Sequence, residues 1–139
     1  MNVAHPQLDV LVARAGTAPW ADRLARSLAT HPVDFHWSDD VEAAVGYAVE
    51  RTPHLAILDD GLPIAGGLDA LRRMRQSGLT MPCLLVAHSP DRRMMIDAIQ
   101  LNVFSVVTVD EVRDLLTPVV MRVVRQVYHL DWANPTNQN

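Results

Sequence analysis

The sequence predicts an α/β fold, a doubly wound five-stranded parallel sheet, and three observations predict it. Apolar runs of strand length alternate along the 139 residues with stretches whose apolar side chains recur at helical spacing. Several of the short runs are apolar throughout, as strands covered on both faces must be. The run His54-Leu-Ala-Ile-Leu-Asp59 ends on a carboxylate and is followed by Asp60, Gly61, Leu62 and Pro63. That pattern delivers an acid to a loop mouth, where open α/β sheets place ligands and transferable groups.

Leu8 to Ala13 is the first strand. Pro19, whose fixed φ suits a first helical position, opens a helix with Trp20, Leu24 and Leu28 on one face. Val33 to Trp37 is a short second strand, and Ser38 with Asp39 caps a helix that turns Val41, Ala44, Val45 and Ala48 inward. Leu55 to Asp59 is the third strand. Pro63, Gly66 and Gly67 shape the following loop, and the third helix presents Leu68, Leu71 and Met74 before Gly78 ends it. Pro82 starts a fourth strand that runs to Ala87, and Ser89 and Pro90 lead into a helix from Asp91 to Leu101. Phe104 to Thr108 is the fifth strand. Thr108-Val-Asp-Glu111 reads as a capping box that starts the last helix, and Pro118 inside that helix is expected to kink or break it. Five such units imply a flavodoxin-like (βα)5 sheet with strand order 2-1-3-4-5. Residues 1–133 are expected to form one domain and residues 134–139 a frayed polar tail.

Composition excludes several function classes. All 12 positive side chains are arginines and the net charge is −4. The pairs Arg72/Arg73 and Arg92/Arg93 sit among acids without interleaved aromatics, so direct nucleic-acid binding is not expected. Cys83 is the single cysteine and lies in an apolar run, which leaves no disulfide and no thiolate metal site. His5, His31, His36, His54, His88 and His129 show no metal-ligand spacing. No run reaches the roughly 20 apolar residues of a membrane span, and no leader pattern stands at the start, so a soluble, cytoplasmic protein is expected.

The segment Asp59-x-x-Leu62-Pro63 followed by Gly67, with Asn102-Val-Phe-Ser-Val-Val-Thr108 further on, resembles the receiver domain of bacterial response regulators. The resemblance spans residues 8 to about 128. It implies two-component signalling, with Asp59 at the position of the phosphoacceptor. Phosphoryl transfer to a carboxylate needs a divalent cation to neutralise charge on the transferred oxygens. The two acids that hold it in the family correspond here to Ala13 and Arg14, or to Arg14 and Ala15 if the register slides. The family's hydroxyl and lysine positions correspond to Ala87 and Val109. Ser89 substitutes for the hydroxyl only if its loop bends back, and Asp60 is expected to point away from Asp59 because neighbouring strand residues face opposite sides. The resemblance therefore describes a degenerate receiver, with no cofactor and its magnesium site lost.

Two placements of Arg14 remain open, one pairing it with Asp59 and one leaving it at a strand end in solvent. His88 beside Ser89 lacks the sharp turn of a nucleophile and is read as a loop histidine. The fourth helix is apolar nearly all round, with Met94, Met95, Ile96, Ala98, Ile99 and Leu101, and is expected to be buried on more than one side. Together with Met121 and Tyr128 of the last helix, it marks Met94, Met95 and Ile99 as candidates for an interface around the fourth helix, fifth strand and last helix. The implied partners are proteins: a histidine kinase, an effector, or a second copy in a homodimer. The first functional reading is a stand-alone, non-enzymatic receiver acting by protein contact without phosphorylation. The second is a phosphoacceptor using Asp59 in a rearranged, lysine-free pocket. An unrelated α/β enzyme lacks a catalytic constellation.

Overall fold

The structure is a computed structural model and describes residues 7–132. The strands are β1 (Leu8–Ala13), β2 (Val33–Ser38), β3 (Leu55–Asp59), β4 (Cys83–Ala87) and β5 (Ser105–Thr108). They alternate with α1 (Pro19–Ser27), α2 (Val41–Arg51), α3 (Gly66–Gln76), α4 (Arg92–Gln100) and α5 (Val112–Tyr128). The sheet order is β2-β1-β3-β4-β5, all parallel, which is the doubly wound arrangement expected from the sequence.

Alternation along each strand divides the core into two layers. Val10, Val12, Leu55, Ile57, Leu84 and Val86 face α1 and α5, where Leu24, Leu116, Val120 and Val123 meet them. Leu11, Ala13, Ala56, Leu58, Cys83 and Leu85 face the other way, onto Val41, Ala44, Leu71, Met74 and Ala98 of α2, α3 and α4. Each fully buried Leu or Ile contributes about 1.5–3 kcal/mol. An exposed ion pair such as Arg72–Asp69, at 3.6 Å, contributes about 0–1 kcal/mol. The two apolar layers therefore hold the sheet, and surface charge does not.

Local chemistry sets the helix ends. The Asp91 carboxylate accepts the Met94 amide at 2.8 Å and starts α4. At the other end of α3, Gly78 takes a left-handed φ of +84, with its amide on the Arg75 carbonyl and that of Leu79 on Met74. Among the described residues, no helix is long and apolar enough to cross a membrane.

The structure departs from the sequence reading at the end of β2, in α5, at Glu111 and in α4, and β5 begins at Ser105 rather than at Phe104. The second strand reaches Ser38, so the cap of α2 is Asp40, whose carboxylate accepts the Ala43 amide at 2.8 Å. Helix α5 runs unbroken through Pro118, against the expected break. Its flanking Leu116, Val119 and Val120 are buried against the sheet, and that packing outweighs the missing amide. Glu111 does fold back on Thr108, with its carboxylate 3.2 Å from the Thr108 amide, but on a turn that precedes the helix. Helix α4 buries only Ala98, while Met95, Ile96 and Ile99 are exposed. Trp132 is drawn into the core behind α5 and stacks on His31 at 4.9 Å. The expected polar tail lies outside the described residues.

Candidate functional site

Strand β3 is buried along its whole length and ends on Asp59, which is 1% exposed. A carboxylate in such a place must be hydrogen-bonded, since an unpaired buried charge is costly. Three groups meet it. The Gly61 amide donates to Oδ1 at 2.8 Å, the Ala15 amide donates to Oδ2 at 3.2 Å, and His88 Nε2 lies 2.9 Å from Oδ1. A carboxylate only accepts, so Nε2 carries the proton in this contact. The donors come from the loops after β3, β1 and β4, which the sheet order brings to one edge.

Glycines make the approach possible. A Cβ at Gly61 would lie 3.0 Å from His88 Nε2 and 3.2 Å from Asp59 Oδ1. At Gly67 it would meet the Asp59 carbonyl oxygen at 2.7 Å, so the first turn of α3 packs directly on the end of β3. Gly66 has a φ of +77, which lets the loop enter that turn.

Arg14 takes neither of its two expected positions. Its guanidinium lies 4.6 Å above the Trp37 ring, and Nη1 is 3.5 Å from Asp22 at the start of α1. It bonds to Asp22 and Trp37 and leaves Asp59 to the amides and His88. Ala13 and Ala87 are fully buried and present only methyl groups, and Val109 is partly exposed. The Val109 amide donates to the Ala87 carbonyl at 2.9 Å and ties β5 to the end of β4. Asp60 is half-buried, and its amide bonds the Val86 carbonyl at 2.8 Å. Burial pushes the Asp60 carboxyl up, and the charges of Asp59 and Asp91 add to this, while the charge and backbone amide of His88 pull it down.

His88 is the site residue that sequence reasoning missed. It lies 29 positions from Asp59, and its role follows from β4 pairing beside β3, with Asp59 opposite Val86. The sequence signal was a glycine two residues after Asp59 together with a histidine one residue past the β4 run.

The interface candidates are spread over two regions. Met95 and Ile99 lie exposed on α4, and Met94 is half-buried against the α3 side of the core. Met121 packs on the α1–α5 core layer. Tyr128 lies at the opposite pole from Asp59, with its hydroxyl on the His54 carbonyl and its ring edge-on to His54 at 5.5 Å. Among the described residues, no group of three His, Cys, Asp or Glu side chains is placed to hold a metal ion.

Solved structures share this architecture. A signal receiver domain from Vibrio parahaemolyticus superposes with a TM-score of 0.75 at 18% identity, covering 89% of this chain and 95% of that one. A DNA-binding response regulator of the LuxR family from Staphylococcus aureus gives 0.72 at 17%, covering 84% and 98%. The response regulator domain of Thermotoga maritima CheB gives 0.71 at 17%, covering 91% and 99%. At such identities the likeness establishes the fold. No curated protein matches the chain in sequence. A family profile described as the response regulator receiver domain matches residues 19–120, most of the chain, and begins at the first residue of α1. With a carboxylate at the end of the third of five parallel strands and a profile match over residues 19–120, the chain belongs to the response regulator receiver family.

Proposed function

We propose that this chain is an atypical receiver that signals by protein contact and does not depend on phosphoryl transfer to Asp59. The observation that carries this reading is the set of donors on that carboxylate. Gly61, Ala15 and His88 already occupy Oδ1 and Oδ2. Magnesium demands an octahedral shell of oxygens and usually one or two carboxylates. The groups bonded to the Asp59 carboxylate are N–H donors, which repel a cation, and Ala13, Ala87 and Val109 supply no acid, hydroxyl or ammonium. The residues present do not fit the family's magnesium ion.

The working surface in this reading is α4, β5 and the outer side of α5. Met95, Ile96, Ile99 and Leu115 expose apolar area there that the other described residues do not cover. A kinase, an effector or a second copy of the chain would dock on it, in the cytoplasm and without catalysis by this domain.

The test is intact-mass analysis after incubation with a small acyl phosphate and magnesium, beside a competent receiver as control. The expected result is no added phosphoryl group. A gain of one phosphoryl in wild type that Asp59→Asn abolishes would overturn the proposal in favour of a rearranged phosphoacceptor.

A further inference from the structure

We propose that His88 is a pH-sensitive latch whose imidazolium, bonded to buried Asp59, pins the β4–α4 loop over the end of β3. Loss of the imidazolium charge loosens the loop and the first turn of α4. The contact joins two different environments. Asp59 is 1% exposed, and the His88 side chain is 52% exposed, so a buried carboxylate faces a ring open to solvent. Histidine changes charge between about pH 5 and 8. A charge-assisted hydrogen bond is roughly twice as strong as a neutral one, so deprotonation weakens the contact without abolishing it.

Charged groups stand around His88 on several elements. From the end of β3 come Asp59 and Asp60, and from the cap of α4 comes Asp91. On the β5 side, Val109 bonds the Ala87 carbonyl and is followed by Asp110 and by Glu111, whose carboxylate is taken by Thr108. On the β1 side the cation is Arg14, already committed to Asp22 and Trp37. Arg92 and Arg93, which follow in α4, are exposed to solvent.

Release would be felt in α4 because the linkage is short. His88 directly follows the last residue of β4, and Asp91, three positions on, caps the helix that carries Met95 and Ile99. Entry of the ring depends on Gly61, where any Cβ would crowd Nε2 at 3.0 Å.

The latch rests on the reading of Asp59 as a carboxylate that works without phosphate, and its test is separate from the mass measurement. The experiment is an amide NMR titration of the whole chain from about pH 5 to about pH 8.5. The Gly61 amide and those from Ser89 to Met95 should shift together through one transition. His88→Gln, which keeps a donor but cannot titrate, should remove that transition, and Gly61→Ala should remove or displace it. The same transition persisting in both variants, or a wild-type Gly61 amide that does not move, would overturn the latch whatever the phosphorylation result.

Discussion

Arg75 Nε donates to the Leu101 carbonyl at 2.8 Å and so ties the last turn of α3 to the end of α4. The same guanidinium reaches Leu79, Met81 and Asn102 carbonyls at 3.0, 2.9 and 3.2 Å. One planar fork thus satisfies four acceptors in two loops, which an ammonium cannot do.

Arg75→Ala should lower unfolding stability by about 2–3 kcal/mol, because hydrogen bonds to charged groups are the stronger kind and the carbonyls are left unpaired. Arg75→Lys should recover little of the loss. Urea midpoints of the three proteins provide the measurement, and a Lys variant as stable as wild type would contradict the fork.

Two glycines in helices should respond in opposite directions to alanine. Gly46 in α2 has open space around a built Cβ, so Gly46→Ala should stabilise by about 0.5–1 kcal/mol. At Gly67 the Cβ would meet Asp59 backbone atoms at 2.7 and 2.9 Å, so Gly67→Ala should destabilise by about 1–3 kcal/mol. Thermal unfolding of both variants compares them directly.

Asp60 provides a pH prediction. Its carboxyl is raised in the folded state, chiefly by burial, so the native chain binds that proton more tightly than the unfolded chain does. Stability from this group is then present at low pH and lost as pH rises through the raised value. Asp60→Asn should be more stable than wild type near neutrality, and the gain should vanish in acid. Urea unfolding at several pH values would show it, and a gain independent of pH would refute the assignment.

Ile99 is 65% exposed on α4. Ile99→Asp should leave monomer stability within about 0.5 kcal/mol, as surface changes usually do. Wild type should self-associate in sedimentation at high concentration, and Ile99→Asp should weaken that association. A wild type that stays monomeric at every concentration would remove the second copy from the proposed partners.

The fold was legible because its signals are local. The apolar runs at Leu8–Ala13 and Leu55–Asp59 have the bounds observed, since Pro, Gly and charged residues punctuate them. Continuity of α5 through Pro118 was not legible, because the compensating burial of Leu116 and Val119 belongs to tertiary packing. The exposure of α4 escaped for a related reason. An apolar helix reads as buried, and only the position of α4 beside α3, touching the core through Ala98, shows that one layer covers it. In the site, Asp59 announced itself by its strand and loop. The His88 contact depends on two separate strands ending side by side, which no periodicity within either strand encodes.

A chain whose cations are all guanidinium groups has a positive charge pattern that no physiological pH alters. The adjustable charges are the carboxylates and six histidines, set against a net charge of −4 with the histidines neutral. Mild acid therefore moves the molecule toward electrical neutrality before most carboxylates begin to titrate. Mutual repulsion between copies falls over the same interval in which the imidazoles charge. Acidification would thus act on this domain twice, once within each molecule and once between molecules.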